Sequence, residues 1–238
     1  MKLDILVFSA HPDDAELSCS GTIMRHLGLG YKIGMIDLTR GEMGTRGNPE
    51  LRMHEAAAAS KIMGIQIREN LAFADCFFTK DKQHLLSVIE KIRKYKPELV
   101  ICNAEVDRHI DHGKAADLLN DACFLSGLRK IETFSEGNQQ EPWRPKQVYY
   151  SIQDRLCKPD VVVDITPYFD RKMECIFAFS SQFFNLGSDE PITPISSPEF
   201  IQHLKGRSLE FGRQIGVTYG EGFTVKRNIG VKNLFDLI

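Results

Sequence analysis

The alternation of short apolar runs with helix-like segments most constrains the fold of this chain. The first run, residues 3–8, is apolar and β-favouring, and similar runs recur through the first half of the chain. Strands are predicted at residues 3–8, 32–38, 70–74 and 99–102, and helices at residues 20–29, 49–63, 81–95 and 113–126. In the third helix, Leu85, Val88 and Ile92 recur at helical spacing. Strands and helices in alternation predict an α/β fold, with a mostly parallel sheet flanked by helices.

The second half of the chain is less regular. Strands are predicted at residues 148–151 and 161–165, helices at 167–179 and 198–215, and exposed loops at 136–145 and 219–223. No internal repeat or clean linker divides the 238 residues. We therefore predict one domain over residues 1–238.

Composition limits the classes of partner. The net charge is −2, and the Lys and Arg residues are spread along the chain, so no bulk electrostatic attraction to nucleic acid or an anionic membrane is expected. No apolar segment approaches the ~20 residues needed to span a bilayer, and the N-terminus does not resemble a signal peptide. The six cysteines include no CxxC pair, which favours reduced thiols over disulfides. These features predict a cytoplasmic protein with no nucleic-acid or membrane partner.

A first polar cluster follows the first predicted strand. His11, Asp13, Asp14 and Glu16 place one imidazole and three carboxylates within six positions. Taken alone, the string His-Pro-Asp-Asp could form an Asx turn. At the carboxyl end of a parallel strand, where α/β sheets place their sites, so many ionisable groups indicate a divalent metal site.

A second polar cluster follows the strand at residues 99–102. It contains His109, Asp111 and His112, a string that alone could be a solvated helix start. Because the carboxyl ends of parallel strands face the same way, the two clusters are expected to meet. Catalytic zinc takes three protein ligands and keeps a position open. We predict His11, Asp14 and His112 as ligands of Zn²⁺, with Fe²⁺ as the alternative.

The remaining groups suit acid–base chemistry. Asp13 neighbours a predicted ligand without being one, so it is placed to accept and return a proton. His109, as an imidazolium, is expected to stabilise an oxyanion, with Asp111 holding it in that state. Asp13, His109 and Asp111 are therefore the predicted catalytic residues.

The paired motifs AHPDDxE and HxDH resemble those of the PIG-L/LmbE zinc-dependent N-deacetylases. This resemblance covers nearly the whole chain. It implies a Rossmann-like fold and removal of acetyl from N-acetylglucosaminyl conjugates. It also implies the same metal ligands and the same catalytic roles as above, and it adds Arg52 as a substrate contact.

Several details are similar to the bacillithiol-biosynthesis deacetylases within that family. They include Ala15, the strings at residues 107–112, 181–183 and 219–223, and Lys172 and Gln182 as positions lining the site. That branch implies N-acetyl-α-D-glucosaminyl L-malate as substrate and acetate as product. The family resemblance implies a trimer-based hexamer. Arg108, beside His109, is expected to bind the substrate, because arginine grips carboxylates bidentately.

Three alternatives remain open at this point. The substrate could be another N-acetylglucosamine compound such as a chitooligosaccharide, or the enzyme could be a metal-dependent phosphoesterase. The third is a non-catalytic metal- or sugar-binding protein on the same fold. Asp13 argues against this last alternative, because storage or sensing needs no general base.

Overall fold

The computed structural model describes residues 1–183 and 189–236. The strands are β1 (Ile5–Ser9), β2 (Ile33–Thr39), β3 (Ile67–Phe73), β4 (Leu99–Cys102), β5 (Phe134–Ser135), β6 (Asn138–Gln139), β7 (Gln147–Ser151), β8 (Val161–Asp164) and β9 (Gly220–Thr224). The helices are α1 (Asp14–Gly28), α2 (Pro49–Met63), α3 (Lys82–Tyr95), α4 (Ile110–Leu125), α5 (Phe169–Phe177) and α6 (Pro198–Gln214). None of these helices is long and apolar enough to cross a membrane.

Seven strands form one sheet in the order β3-β2-β1-β4-β7-β9-β8. The five strands from β3 to β7 are parallel, and β9 and β8 continue the sheet in antiparallel pairing. The mostly parallel α/β sheet predicted from the sequence is therefore confirmed. The strands β5 and β6 pair separately as a short antiparallel hairpin, inside the segment partly predicted as a loop.

The sheet has an apolar core on each face. Along β1, Leu6 and Phe8 join the core packed against α3 and α4, whereas Ile5 and Val7 join the core of α1, α2 and α5. This division follows from the two-residue side-chain period of a strand. Both faces of β1 are buried, which explains its continuous apolar sequence.

Several segments differ from the sequence prediction, including β3, which begins at Ile67 instead of residue 70. The stretch predicted as a final loop at residues 219–223 contains β9, which pairs with β7 and β8. Its glycines lower the strand propensity of the sequence, so no strand was predicted. They also permit close packing, because a Cβ on Gly222 would come within 2.9 Å of the Phe211 ring. The helices α1 and α4 begin at Asp14 and Ile110, earlier than expected, so both polar clusters run into first helical turns.

The strand order reverses direction between β1 and β4. From β1 the chain proceeds outward to β2 and β3, whereas from β4 it proceeds the other way to β7. Such a switch point opens a crevice at the carboxyl ends of the strands. Both polar clusters lie there, because one follows β1 and the other follows β4.

Candidate metal centre and active site

The three predicted metal ligands meet at this switch point. The Asp14 carboxylate lies between two imidazoles, with Oδ2 3.4 Å from His11 Nδ1 and Oδ1 3.0 Å from His112 Nε2. All three side chains are buried. His11 follows β1, and Asp14 and His112 lie in the first turns of α1 and α4. Two imidazoles flanking one carboxylate form a donor set whose chemistry fits zinc or ferrous iron.

The electrostatics of this cluster favour positive charge. Burial opposes the charged imidazoles, but contacts with Asp111, Asp14 and Asp75 raise the pKa of His11 well above its usual value. Against the same burial, the charge of Asp14 and the bond to Asp107 raise the pKa of His112 to about 9. Burial also opposes the charge of Asp14, yet His112 and His11 lower the pKa of that carboxyl. The carboxylates thus stabilise positive charge on His11 and His112. A metal cation bound by these side chains would supply that positive charge instead of the protons.

Carboxylates hold the far side of both imidazoles. Asp107 Oδ2 lies 2.5 Å from His112 Nδ1, and Asp75 Oδ1 lies 3.0 Å from His11 Nε2. Such carboxylates orient metal-binding histidines and make them more basic. Neither Asp75 nor Asp107 has a predicted role from the sequence. Asp75 follows β3 closely, so its position after a predicted strand was the available signal.

Asp111 does not make the contact expected of it. Its carboxylate lies 3.3 Å from His11 Nε2 and accepts bonds from the Cys76 N–H at 2.8 Å and Lys114 Nζ at 3.1 Å. Its backbone N–H, rather than its carboxylate, contacts His109. Asp111 therefore supports a predicted ligand instead of the predicted oxyanion-stabilising histidine.

His109 lies beside the three predicted ligands as a neutral ring. Its centroid is 4.6 Å from that of His11, and ring nitrogens of His11, His109 and His112 lie within 4.8 Å of one another. Burial, followed by the charges of His11 and His112, lowers the pKa of His109. Its Nδ1 accepts from the Asp111 N–H at 3.3 Å, which assigns the proton of a neutral ring to Nε2. His109 is therefore suited to act as a neutral donor, rather than the expected imidazolium.

Asp13 is buried in a strained backbone conformation. Its φ of 130° is rare for a residue with a side chain, and such strain is commonly found at functional sites. Burial raises the pKa of Asp13, and Arg52 opposes this rise, with a resulting value of about 7. A carboxyl group with that pKa can exchange a proton near neutral pH.

Arg52 faces Asp13 rather than open space. Its Nη2 donates to Asp13 Oδ2 at 2.6 Å and to the Pro12 carbonyl at 2.8 Å, and only 5% of the residue is exposed. Gly41 makes room for it, because a Cβ there would collide with the Arg52 guanidinium. The predicted substrate contact is thus placed as a partner of the predicted base.

A cavity of about 90 Å³ opens onto these groups. The polar residues that line it include Asp13, Asp14, His109 and His112. The apolar residues that line it are Leu17, Ile195, Phe200 and Leu204. The exposed Arg108 also lines the cavity, with Nε bonded to Asp154 at 3.1 Å. The cavity therefore combines polar chemistry, an apolar surface and one accessible cation.

Glu16, Lys172 and Gln182 lie outside this cavity. Glu16 pairs with Arg68 at 2.6 Å, and Lys172 pairs with Glu221 at 2.7 Å, with all four side chains largely buried. Gln182 Nε2 donates to the carbonyl of Arg46 at 2.8 Å. These contacts join α1 to β3, α5 to β9, and the segment after α5 to the loop before α2.

The fold and site are those of an α/β protein with a candidate histidine–carboxylate metal site at the switch point of its sheet. The model of the family PIG-L, described as GlcNAc-PI de-N-acetylase, matches residues 6–123. The conserved protein TT1542 from Thermus thermophilus has a similar structure, with a TM-score of 0.86, 33% identity and coverage of 98% of each chain. The chain thus resembles the PIG-L family over residues 6–123, just under half of its length.

Two curated relatives have different activities. The 4-oxalmesaconate hydratase of Pseudomonas putida is 27% identical over 192 residues, which cover 74% of this chain and 73% of the relative. A probable N-acetyl-alpha-D-glucosaminyl L-malate deacetylase 2 of Bacillus anthracis is 26% identical over 195 residues, covering 75% and 81%. Relatives at this level of identity therefore differ in reaction class.

Proposed function

We propose that this protein is a metal-dependent N-deacetylase that releases acetate from an N-acetylglucosamine conjugate. The observation that carries the proposal is the convergence of His11, Asp14 and His112 beside a buried carboxyl and a neutral imidazole donor. Within the family we propose N-acetyl-α-D-glucosaminyl L-malate as the substrate. The accessible Arg108 at the cavity supports this finer proposal, since it can pair with a malate carboxylate.

The residues divide into holding and reacting groups. His11, Asp14 and His112 would hold the metal, which when bound supplies a Lewis acid and lowers the pKa of water. Asp13 accepts the proton of the attacking water, and its pKa of about 7 suits that task. His109 Nε2–H donates to the acetyl oxygen as negative charge develops there. Asp13 then returns the proton to the leaving amine.

The assembly and location are also proposals. We propose a cytoplasmic homo-oligomer, with a hexamer as the specific form implied by the family resemblance. All six cysteines are free thiols, which suits a reducing compartment. The molar mass in solution, measured by light scattering coupled to size-exclusion chromatography, tests the hexamer. A monomer at physiological ionic strength would contradict it.

A hydratase is the second candidate, because a curated relative has that activity. Asp13 beside a metal centre suits addition of water to an activated double bond as well as to an amide. The two reactions differ in their products, because hydration releases no acetate.

The test is an assay of the purified protein loaded separately with Zn²⁺ and Fe²⁺. Acetate release is measured from N-acetylglucosaminyl-malate, free N-acetylglucosamine and diacetylchitobiose, and loss of absorbance is measured with 4-oxalmesaconate. We expect metal-dependent acetate release, fastest with the malate conjugate. Turnover of 4-oxalmesaconate, with no acetate released from any of the three N-acetylglucosamine compounds, would contradict the deacetylase and support the hydratase.

A further inference from the structure

Asp14 receives hydrogen bonds from two buried amide side chains. Asn103 Nδ2 donates to Asp14 Oδ2 at 3.0 Å, and Gln153 Nε2 donates to Asp14 Oδ1 at 3.1 Å. Both amides are at most 3% exposed. They follow the neighbouring strands β4 and β7, so the parallel sheet brings them to the same carboxylate. Oδ1 therefore has one neutral donor behind it, and Oδ2 has two, since it also accepts from the His11 N–H at 2.9 Å.

The two amides fix each other's orientation. Asn103 Nδ2 also donates to Gln153 Oε1 at 2.9 Å, and that oxygen accepts from the Ala104 N–H at 3.1 Å. Asn103 Oδ1 accepts from the Ala10 N–H at 2.7 Å. Rotating either amide by half a turn would place like groups against each other. The donors toward Asp14 are thus set by the surrounding backbone.

The main chain at Gln153 is also anchored. Arg207 on α6 is 6% exposed, and its guanidinium donates to the carbonyls of Gln153 and Leu17. Leu17 belongs to the early part of α1, only three residues beyond Asp14. The same arginine thus joins the amide-bearing loop to the helix that carries the carboxylate.

We propose that Gln153 and Asn103 are positioning residues that aim the Asp14 carboxylate at His11 and His112, and so set the affinity and coordination geometry of the metal. The proposal rests on the proposed function, because it takes Asp14 as a metal ligand. Neutral donors suit this role, since they orient the carboxylate and leave its charge available to the metal. A lysine or arginine in their place would neutralise the ligand and repel the cation.

The test replaces the donor and observes the metal directly. In Gln153→Leu, the dissociation constant for Co²⁺, measured by chelator competition, should rise by about 10- to 100-fold, as is usual when support of a metal ligand is lost. The visible absorption spectrum of the Co²⁺-loaded protein should also change, because that spectrum reports coordination geometry. A purely structural role of Gln153 would lower thermal stability and leave the spectrum of the loaded protein as in wild type.

Two further variants complete the experiment. Gln153→Glu preserves the shape and the acceptor oxygen while removing the amide donor, and it decides the matter if Gln153→Leu does not fold. Gln182→Leu is the matched control, because this buried glutamine bonds to Arg46 and Ser181 and has no bond to Asp14. Its Co²⁺ affinity and spectrum should equal those of wild type.

The outcomes separate this inference from the proposed function. Folded Gln153 variants with wild-type Co²⁺ affinity and spectrum would overturn the positioning role, as would an equal change in Gln182→Leu. A wild-type protein that binds no metal would overturn the metal centre itself. If the wild-type protein binds metal but releases no acetate, the proposed deacetylase function is wrong. The Co²⁺ affinities and spectra of the variants then still decide the positioning role.

Discussion

The guanidinium of Arg52 donates a 2.6 Å hydrogen bond to the carboxylate of Asp13, and both side chains are buried. Burial is the largest cause that raises the pKa of Asp13, and the positive charge of Arg52 opposes that rise. The pair thus leaves the carboxyl with a pKa of about 7. An arginine expected to contact the substrate is placed to tune the proposed base.

Replacing this arginine should shift the pH dependence of the reaction. In Arg52→Gln the pKa of Asp13 rises, because the largest effect that lowers it is gone. The base must be deprotonated, so the acidic limb of kcat/KM should move to higher pH by about 1 to 3 units. The measurement is a pH–rate profile of both proteins. Arg40→Gln, which changes an exposed arginine nearby, is the control, and an unshifted limb in Arg52→Gln would contradict the tuning role.

Removing the carboxylate of Asp13 should abolish proton transfer and retain the metal. Asp13→Asn is preferable to alanine, because asparagine better tolerates the positive φ of 130° at this position. We expect kcat to fall by about 10²- to 10⁴-fold, the usual contribution of a general base. Steady-state kinetics and metal analysis on the same sample check this. Near wild-type turnover would exclude Asp13 as the base.

Loss of His112 should reduce metal content. His112→Ala removes a nitrogen that lies 3.0 Å from Asp14, so purified protein should carry less than stoichiometric metal. Asp107→Asn should have a milder effect, with affinity lowered about 10- to 100-fold, because it supports His112 from behind. Metal is quantified by mass spectrometry, with His84→Ala as a control that lies with Asp81 outside the site. Full occupancy in His112→Ala would count against its role as a ligand.

The metal-free protein should lose stability as the pH rises. The pKa of His112 is raised from 6.5 to about 9 in the folded state, so its stabilising effect is complete below pH 6.5 and disappears as the pH passes about 9. By proton linkage, this pKa shift contributes on the order of 3 kcal/mol to the free energy of unfolding below pH 6.5. Urea unfolding with a chelator at several pH values measures it, and His112→Gln should flatten the profile. Greater stability of the metal-free wild type at pH 9 than at pH 6.5 would contradict the prediction.

Removing Arg108 should affect binding more than chemistry. Its Nε is bonded to Asp154 and the side chain is exposed at the cavity, so it can contact the malate part of a substrate. In Arg108→Ala we expect a higher KM for the malate conjugate, with kcat nearly unchanged. Diacetylchitobiose, which lacks a carboxylate, should show no such rise. An equal KM change for both substrates would remove Arg108 as the carboxylate contact.

Local sequence patterns predicted most of the helices and strands. The helix Pro49–Met63 and the strand Leu99–Cys102 were predicted with their observed bounds, because a proline begins the first and a continuous apolar run defines the second. The strand β9 was not predicted, because its sequence Gly-Glu-Gly-Phe-Thr has low strand propensity. Its pairing with β7 and β8 decides its conformation.

The sequence by itself determined that His11, Asp14 and His112 would meet. Each cluster follows a parallel strand, and the carboxyl ends of such strands share one edge of the sheet. Only the tertiary structure decided which groups surround them. The contact of Arg52 with Asp13 and that of Asp111 with His11 join residues 39 and 100 positions apart. No local pattern encodes such pairings, because they depend on side-chain directions set by the packing of separate helices and strands.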